Sequence, residues 1–412
     1  MDFYDYLIIG NGIAGATAAE TIRERDPAGS VAVISDEPHP LYSRVLLPNY
    51  VKGLAAREQV FLRKRDDYQA KNIMLLQGES AVRLAVRERI LHLAGGRTIG
   101  FGKLLIASGG RPRPLDVPGG ELLGVSRFQT INDADLMRQF LAGANRAVVV
   151  GGGFIALEYL EILVYCGIPA TLVIPQPYFF SRFFDAAGGE LLQDNFRRHG
   201  IAVIAGERLA AIEGENRVRA VRLANGRTLD ADFLGIGIGL VRNTAWLGAG
   251  VLLTGEGVAV NEYLEASEPG IFAAGDVADF NDIILGFRHS HGNWGNAFRQ
   301  GDCAGRNMAR PAEREPYQSV TSYGIRSLGL LVALVGYASN GPGIETISRL
   351  DRKGPAYGRY FLKEGRLVGA ALINRHEERP AIQALIKSGE RMSDAALAGL
   401  ADPKFDIAAL TP

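Results

Sequence analysis

The residues with the clearest chemical meaning are three glycines, Gly10, Gly12 and Gly15, which follow an apolar run near the start of the sequence. In this spacing the first glycine makes a tight turn, the second lets backbone approach a pyrophosphate, and the third allows a helix to pack closely on a strand. The phosphates would lie at the helix N-terminus, where free N–H groups favour negative charge. Asp36 and Glu37 follow the next apolar segment, where a ribose-binding carboxylate is expected. We therefore predict a dinucleotide site.

A second glycine cluster has Gly151 and Gly153 in the same spacing, with Ala156 in the third position, a variant that the fingerprint tolerates. The strand that follows runs into Pro-Gln-Pro at 175–177, which offers no acid for a ribose 2′-hydroxyl. Arg182 comes a few residues later and is interpreted as a surface residue rather than a 2′-phosphate ligand. The strand tip therefore predicts weak discrimination between NADH and NADPH, and loss of the second nucleotide stays an open alternative.

Both clusters need the same elements to position them, and the sequence contains these elements twice. Each cluster lies between an apolar strand and a helix-like segment, and a β-branched strand follows. Each half closes with a further apolar segment and small residues, which are Ala107, Ser108 and Gly109 in the first half and include Gly237 in the second. The repeat predicts two βαβ domains related by internal duplication.

We predict an α/β fold with two Rossmann-like three-layer nucleotide-binding domains and a C-terminal α+β domain. Clusters of proline and glycine mark the expected exit from the first domain. That domain is predicted to be discontinuous, with residues 1–114 and 242–310, and the second is predicted at 115–241. The C-terminal domain is predicted at 311–412, where alternating segments on both sides of the turn 363–366 indicate a β-hairpin or meander.

Composition places the chain among ordinary globular proteins. Its 412 residues exceed what one core supports, because single cores stop growing at roughly 250 to 300 residues. Lysine plus arginine and aspartate plus glutamate both number 45, so no global field favours nucleic acid or an anionic membrane. The late apolar run 328–335 is too short to span a bilayer and is interpreted as a core strand. With no targeting signal at the N-terminus, a cytoplasmic location is expected.

No metal site or disulfide is expected. The two cysteines, Cys166 and Cys303, lie far apart in the sequence and outside any CxxC arrangement. Cys166 is interpreted as a small, buried apolar residue. His289 and His291 would share one face of a strand, but no third ligand is near them in the sequence.

Three further segments carry a family resemblance. Residues 107–112 are similar to an ATGxxP element, residues 270–277 to a second FAD motif, and residues 41–47 to a YSRPLL stretch. With both glycine clusters, these segments resemble the FAD-dependent pyridine-nucleotide reductases of the glutathione reductase superfamily. The resemblance runs nearly end to end and is strongest to rubredoxin and ferredoxin reductases and to the related domain of nitrite reductases.

The resemblance implies roles for individual residues. Asp276 would accept a hydrogen bond from the flavin ribityl chain, and its position after a glycine also suits a helix N-cap. Phe154 and Glu158 match positions between flavin and nicotinamide, although Phe154 could equally be a packing residue. The implied NAD(P)H contacts are Gly151, Gly153, Ala156 and Gly237. The implied FAD contacts are Gly10, Gly12, Gly15, Asp36, Glu37, Arg44, Ala107, Ser108, Gly109, Gly275, Asp276, Trp294 and Ala297.

The expected activity is an NAD(P)H oxidoreductase that uses FAD. No cysteine lies between Leu41 and Gly53, where disulfide-reducing relatives carry one, so electrons are expected to leave the flavin directly. The expected acceptor is a small redox protein such as rubredoxin or ferredoxin. An NAD(P)H oxidase or quinone reductase, and a redox-sensing flavoprotein of the apoptosis-inducing-factor type, stay open as alternatives. The sequence leaves open whether the protein is a monomer or a homodimer.

Overall fold

The structure is a computed structural model that describes residues 1–248, 251 and 253–411. The remaining four residues belong to the predicted segments 242–310 and 311–412 and lie outside the described part. The described α-helices are α1 (Ile13–Arg25), α2 (Leu47–Val51), α3 (Arg65–Ala70), α4 (Ile131–Leu141), α5 (Phe154–Tyr165), α6 (Ala186–Arg198), α7 (Trp294–Ala309), α8 (Arg379–Ser388) and α9 (Asp394–Leu400).

The strands lie singly between some of these helices and in long consecutive runs between others. They are β1 (Asp2–Ile9), β2 (Val31–Ser35), β3 (Ile73–Gln77), β4 (Ala81–Ala85), β5 (Ile90–Leu93), β6 (Thr98–Ile106), β7 (Gly110–Pro112), β8 (Val125–Ser126), β9 (Ala147–Val150), β10 (Ala170–Ile174), β11 (Ala202–Ala205), β12 (Leu209–Glu213), β13 (Ala220–Leu223), β14 (Thr228–Asp230), β15 (Phe233–Ile236), β16 (Leu240–Arg242), β17 (Leu253–Thr254), β18 (Gly257–Val260), β19 (Ile271–Ala273), β20 (Ala278–Asp282), β21 (Phe287–His289), β22 (Ser322–Ser327), β23 (Leu330–Gly336), β24 (Ile344–Asp351), β25 (Ala356–Lys363) and β26 (Arg366–Ile373).

The chain divides into two compact units, and each consists of three segments. The first unit contains Met1–Val45, Ala56–Arg111 and Leu240–Ser319. The second unit contains Leu46–Ala55, Pro112–Gly239 and Val320–Pro412. The division into three domains, with the boundaries given above, stays a prediction.

The first unit is built on a sheet in the order β3-β2-β1-β6-β5-β4, with β19 also paired to β6. The strands β3, β2, β1, β6 and β19 are parallel, and Leu7 and Ile8 of β1 are fully buried. Burial on both faces explains why these strands are continuous apolar runs in the sequence. Helices α1 and α7 pack closely, because a Cβ at Gly301 would lie 2.2 Å from the carbonyl oxygen of Ala14.

The second unit repeats this architecture. Its parallel sheet has the order β11-β10-β9-β15-β8, so β10-β9-β15 correspond to β2-β1-β6 of the first unit. A separate antiparallel sheet, β12-β13-β14, precedes β15 in the chain. The two parallel sheets confirm the predicted fold class with two Rossmann-like repeats.

The C-terminal part of the second unit is an antiparallel sheet in the order β22-β23-β26-β25-β24. Strands β25 and β26 pair across a tight turn at Glu364 and Gly365, which confirms the predicted hairpin. The apolar run at 328–335 forms most of β23, as expected for a core strand. Helix α8 follows the sheet, and Glu378 before it is held by buried ion pairs to Arg349 and Arg375.

One expectation about the cysteines is wrong. Cys166 is exposed rather than buried, because it caps the C-terminal end of α5, beyond the last buried turn of that helix. Cys303 lies inside α7 and is buried. Within the described residues, no helix is long and apolar enough to cross a membrane.

Candidate functional site

In the first glycine turn, packing requires a glycine at two positions, whereas the remaining position has open space beside it. Gly10 has φ +108°, and a Cβ there would lie 2.2 Å from the carbonyl oxygen of Ala107. A Cβ at Gly15 would lie 1.9 Å from the carbonyl oxygen of Gly10. At Gly12, the N-cap of α1, a Cβ would meet nothing within 4 Å. The space beside Gly12 at the start of a helix fits a pyrophosphate.

Buried polar atoms near this turn lack partners within the described structure. Asn11 accepts a hydrogen bond from the Tyr68 hydroxyl at 2.8 Å, but its Nδ2 has no acceptor. Gln300 accepts one from the amide of Gly275 at 2.8 Å, and its buried Nε2 also has no acceptor. Buried donors are nearly always paired in folded proteins, so both amides fit a ligand rich in acceptors. Sequence analysis did not identify Asn11 as a candidate contact, because only the burial of its side-chain amide in the fold indicates that role.

The structure brings together two predicted site residues, Glu37 and Arg44. The Arg44 guanidinium donates to Oε1 of Glu37 at 2.7 Å, and the Tyr42 hydroxyl donates to Oε2 at 2.6 Å. Ionised carboxylates accept up to about four hydrogen bonds, so Glu37 keeps capacity for a ribose hydroxyl. Asp36 is exposed beside it.

Asp276 lies in a single 3₁₀ turn between β19 and β20. The expectation that it caps a helix is wrong, because Ala274 is the N-cap of this turn and β20 begins at Ala278. Burial raises the pKa of Asp276, while the positive charges of Arg44 and Arg242 lower it. The main-chain carbonyl of Asp276 accepts a hydrogen bond from Arg242 at 2.8 Å.

The predicted segment at 107–109 is fixed by a residue that sequence reasoning missed, Asn243. The Ser108 hydroxyl donates to the Asn243 carbonyl at 2.8 Å, and the Asn243 side-chain amide donates to the Ser108 carbonyl at 2.9 Å. The Asn243 main-chain amide donates to the Gly109 carbonyl at 3.0 Å. The only sequence signal for this role of Asn243 is its position directly after β16, where the chain returns to the first unit.

Helix α7 begins at Trp294, one of the FAD contacts that the resemblance implies, and Ala297, another of them, is buried in its first turn. The N-cap Asn293 accepts a hydrogen bond from the amide of Asn296 at 2.8 Å. Asn296 in turn accepts one from the Tyr317 hydroxyl at 2.7 Å. The free amides at this helix start favour negative charge on a neighbouring group.

The second glycine turn reproduces the geometry of the first. Gly151 has φ +130°, and a Cβ there would lie 2.1 Å from the carbonyl oxygen of Gly237. A Cβ at Gly237 would lie 2.7 Å from the amide nitrogen of Ala156, so these residues pack against one another. Gly153 is the N-cap of α5, and a Cβ there would meet nothing within 4 Å. The second turn therefore has the same open place at a helix start.

Phe154 and Glu158 lie one turn apart on α5. The Phe154 ring contacts the rings of Phe180 and Tyr323, with centroid distances of 4.7 and 4.8 Å. This arrangement agrees with a packing role, and a role toward nicotinamide stays a prediction. Burial, with the nearby carboxylate of Glu161, raises the pKa of Glu158 to about 8.

A buried ion pair lies close to Glu158. Lys52 and Glu161 are 2.7 Å apart between Nζ and Oε1, and the Lys52 side chain is only 8% exposed. The positive charge of Lys52 lowers the pKa of Glu158, but less than burial raises it. Glu158 is therefore largely protonated at neutral pH, and Glu161 holds the lysine.

The remaining candidate groups do not form a reactive centre. Burial raises the pKa of the Cys303 thiol to about 11, and burial also raises the pKa of Cys166. His289 is buried and pairs with Asp282 at 2.9 Å. Over the described ranges, no group of three or more histidine, cysteine, aspartate or glutamate side chains could hold a metal ion.

The chain is similar to several proteins of known class. The sequence pattern of the family described as pyridine nucleotide-disulphide oxidoreductase matches residues 4–301. The 5,5′-dehydrodivanillate O-demethylase ferredoxin reductase subunit of Sphingobium sp. is 32% identical, with 99% of both chains covered. A ferredoxin reductase for the CYP199A2 system of Rhodopseudomonas palustris is 26% identical in a solved structure, with a TM-score of 0.88, and the match covers 99% of this chain and 100% of that one.

A longer relative is matched only in part. The nitrite reductase [NAD(P)H] of Bacillus subtilis is 26% identical over 96% of this chain and 49% of its own length. The chain therefore spans about half the length of that enzyme.

Proposed function

Since the chain belongs to the pyridine nucleotide-disulphide oxidoreductase family, we propose that it is an FAD-dependent reductase that passes electrons from NAD(P)H to a small redox protein such as ferredoxin. The observation that carries this proposal is the pair of equivalent glycine turns. Each turn leaves its second glycine, Gly12 or Gly153, open at the start of a helix. Two such turns in one chain suit one dinucleotide each.

The residues of the first turn fit FAD. The amides at the start of α1 would hold its pyrophosphate beside Gly12, and Glu37 would accept a hydrogen bond from its ribose. Asp276 would accept a hydrogen bond from the ribityl chain, with Arg44 and Arg242 offsetting its negative charge. The amides at the start of α7 would favour negative charge on the ring system. When bound, FAD supplies the conversion of a two-electron hydride transfer into single-electron steps.

The second turn suits the nicotinamide nucleotide in the same way. The amides at the start of α5 would hold its pyrophosphate beside Gly153, while Gly151, Ala156 and Gly237 keep the turn closed beneath it. Glu158, protonated at neutral pH, adds no negative charge next to a hydride donor.

The state of the cysteines supports direct electron transfer to the partner protein. A thiolate is the reactive form of cysteine, and a raised pKa keeps both Cys166 and Cys303 as thiols at neutral pH. The ferredoxin reductase relatives support a ferredoxin-like partner. Rubredoxin as the partner, a cytoplasmic location and the state of monomer or homodimer stay predictions.

The test is the turnover of the purified, FAD-loaded protein with NADH and NADPH and a set of acceptors. We expect rapid reduction of a ferredoxin and slow reduction of dioxygen and small quinones. Faster turnover with dioxygen or a quinone than with any ferredoxin or rubredoxin would instead support an oxidase or quinone reductase. Slow turnover with every acceptor would support a redox-sensing flavoprotein.

A further inference from the structure

The second glycine turn lacks the carboxylate that usually accompanies it. In a dinucleotide-binding βαβ unit, an acid at the tip of the second strand accepts hydrogen bonds from the adenosine ribose. Here that strand is β10, which ends at Ile174, and the tip 175–177 has no acid. The prediction of weak discrimination between NADH and NADPH was based on the missing acid at this tip.

The backbone of an acidic residue, Glu207, lies beside the same strand tip, on the neighbouring strand. Strands β10 and β11 are parallel, with Ile174 opposite Ala205. Beyond β11 the pairing continues, because the amide of Gly206 donates to the carbonyl of Gln176 at 3.1 Å and the amide of Glu207 donates to the carbonyl of Ile174 at 3.1 Å. These two hydrogen bonds fix the backbone of Glu207 beside the tip of β10.

The carboxylate of Glu207 has capacity for a ligand. Among the described residues it takes part in no ion pair and no hydrogen bond, and the residue is partly exposed. An ionised carboxylate is a strong acceptor for a hydroxyl and repels a phosphate. At the tip of β10 these two properties would favour a free 2′-hydroxyl over a 2′-phosphate.

A neutral polar residue, Gln176, lies at the tip of β10 itself. The Oε1 atom of Gln176 is 3.5 Å from where a Cβ at Gly152 would be, so its amide lies over the second glycine turn. An amide can both donate to and accept from a ribose hydroxyl. Gln176 therefore adds hydrogen bonding at this position without adding charge.

Two arginines nearby could act in the opposite direction. The Arg182 guanidinium is exposed and lies over the Phe183 ring, 5.6 Å from its centroid. Arg208 is also exposed, and its carbonyl accepts a hydrogen bond from the amide of Ala224. Exposed charges are screened by solvent and contribute little, so we expect neither arginine to outweigh the carboxylate of Glu207, whose backbone is held beside the strand tip.

We propose that Glu207, together with Gln176, binds the adenosine ribose and makes NADH the preferred nucleotide. This inference rests on the proposed function, because it assumes that the second turn binds a nicotinamide nucleotide. The 2′-phosphate of NADPH would lose the hydrogen bond that a 2′-hydroxyl donates to Glu207, and the carboxylate would also repel it. Together these effects give a preference for NADH on the order of ten- to a hundredfold.

The test is calorimetric binding of NAD⁺ and NADP⁺ to the FAD-loaded protein, which needs no turnover. We expect NAD⁺ to bind the wild type on the order of ten- to a hundredfold more tightly than NADP⁺. Glu207→Gln should remove most of this difference, and Glu207→Arg should reverse it. The control is Glu215→Gln, an exposed acid of the same unit, which should bind both nucleotides as the wild type does.

Two other outcomes are distinguishable from each other. An unchanged ratio of the two dissociation constants in Glu207→Gln and Glu207→Arg would overturn the role of Glu207 and leave the proposed function intact. Absence of binding of either nucleotide to the wild type would overturn the proposed function and this inference with it.

Discussion

At the scale of single residues, the three glycines of the first glycine turn have different roles. Gly10 and Gly15 are required by the fold, because a Cβ at either position would collide with main-chain atoms. Gly12 has no such neighbour, and its φ of −73° is one that any residue adopts. A side chain at Gly12 would therefore occupy the space meant for the ligand without disturbing the protein.

This difference predicts the behaviour of Gly12→Leu. We expect the variant to fold and to be purified without flavin, because its side chain blocks the approach of the pyrophosphate. The visible absorbance bands of flavin would report the missing cofactor, and circular dichroism would report the fold. The control is Gly95→Leu, an exposed glycine of the same unit with equally open surroundings, which should stay yellow. A yellow Gly12→Leu protein would contradict the assignment of this turn.

The cysteines give a second prediction at this scale. We expect the variant Cys166→Ser/Cys303→Ser to reduce ferredoxin within about twofold of the wild-type rate, because both thiols stay protonated at neutral pH. Steady-state turnover with NADH, at matched flavin content, is the measurement. A variant that keeps FAD but loses turnover would indicate a thiol intermediate.

At the scale of elements, the start of α5 repeats the start of α1. Gly153→Leu should therefore block the nicotinamide nucleotide and leave FAD in place. We expect the yellow protein to keep its flavin absorbance on addition of NADH, whereas dithionite still bleaches it. Gly143→Leu, at an exposed and open position after α4, is the matched control and should bleach with NADH. Bleaching of Gly153→Leu at the wild-type rate would place the nucleotide elsewhere.

Elements whose signals are local could be predicted from the sequence. The glycine turns and the hairpin β25–β26 both depend on residue types within one short segment. What failed depends on how elements pack on one another and where they end, rather than on the residue types of one segment. The exposure of Cys166 depends on where the buried part of α5 ends. Asp276 lies in a 3₁₀ turn rather than at the start of a helix because β20 begins directly after it.

The candidate site was missed in part for the same reason. Asn243 acts through Ser108, which lies far from it in sequence but is joined to it by two side-chain hydrogen bonds. Glu207 has meaning only because β11 lies beside β10. The pairing of two strands that are separated in sequence cannot be predicted from the residues of either strand alone.

At the scale of the whole molecule, Glu158 links stability to pH. Its pKa is about 8 in the folded protein against 4.5 as the ordinary value, so the folded state binds more protons between these limits. The stability from this proton is present below pH 4.5 and is lost as pH rises through 8. Glu158→Gln removes the loss and should gain about 4 kcal/mol over wild type between pH 5 and pH 8.5.

Urea unfolding midpoints of the FAD-loaded proteins across this pH range are the measurement. The gap between Glu158→Gln and wild type should widen as pH rises. Glu215→Gln, which changes an exposed acid, should show a gap that does not vary with pH. A constant gap for Glu158→Gln as well would mean that Glu158 is ionised in the folded protein.

The segmented first unit also has a consequence for how the protein is made. The start of α1 packs against α7, with Ala14 in contact with Gly301, and the amide of Gln300 lies in the same region. At about 5 to 20 residues per second, a ribosome needs roughly 15 s to 1 min to synthesise the chain between these helices. Until α7 has left the exit tunnel, the first glycine turn has no partner helix. We therefore expect the nascent chain to acquire its flavin late, after most of the polypeptide has been translated.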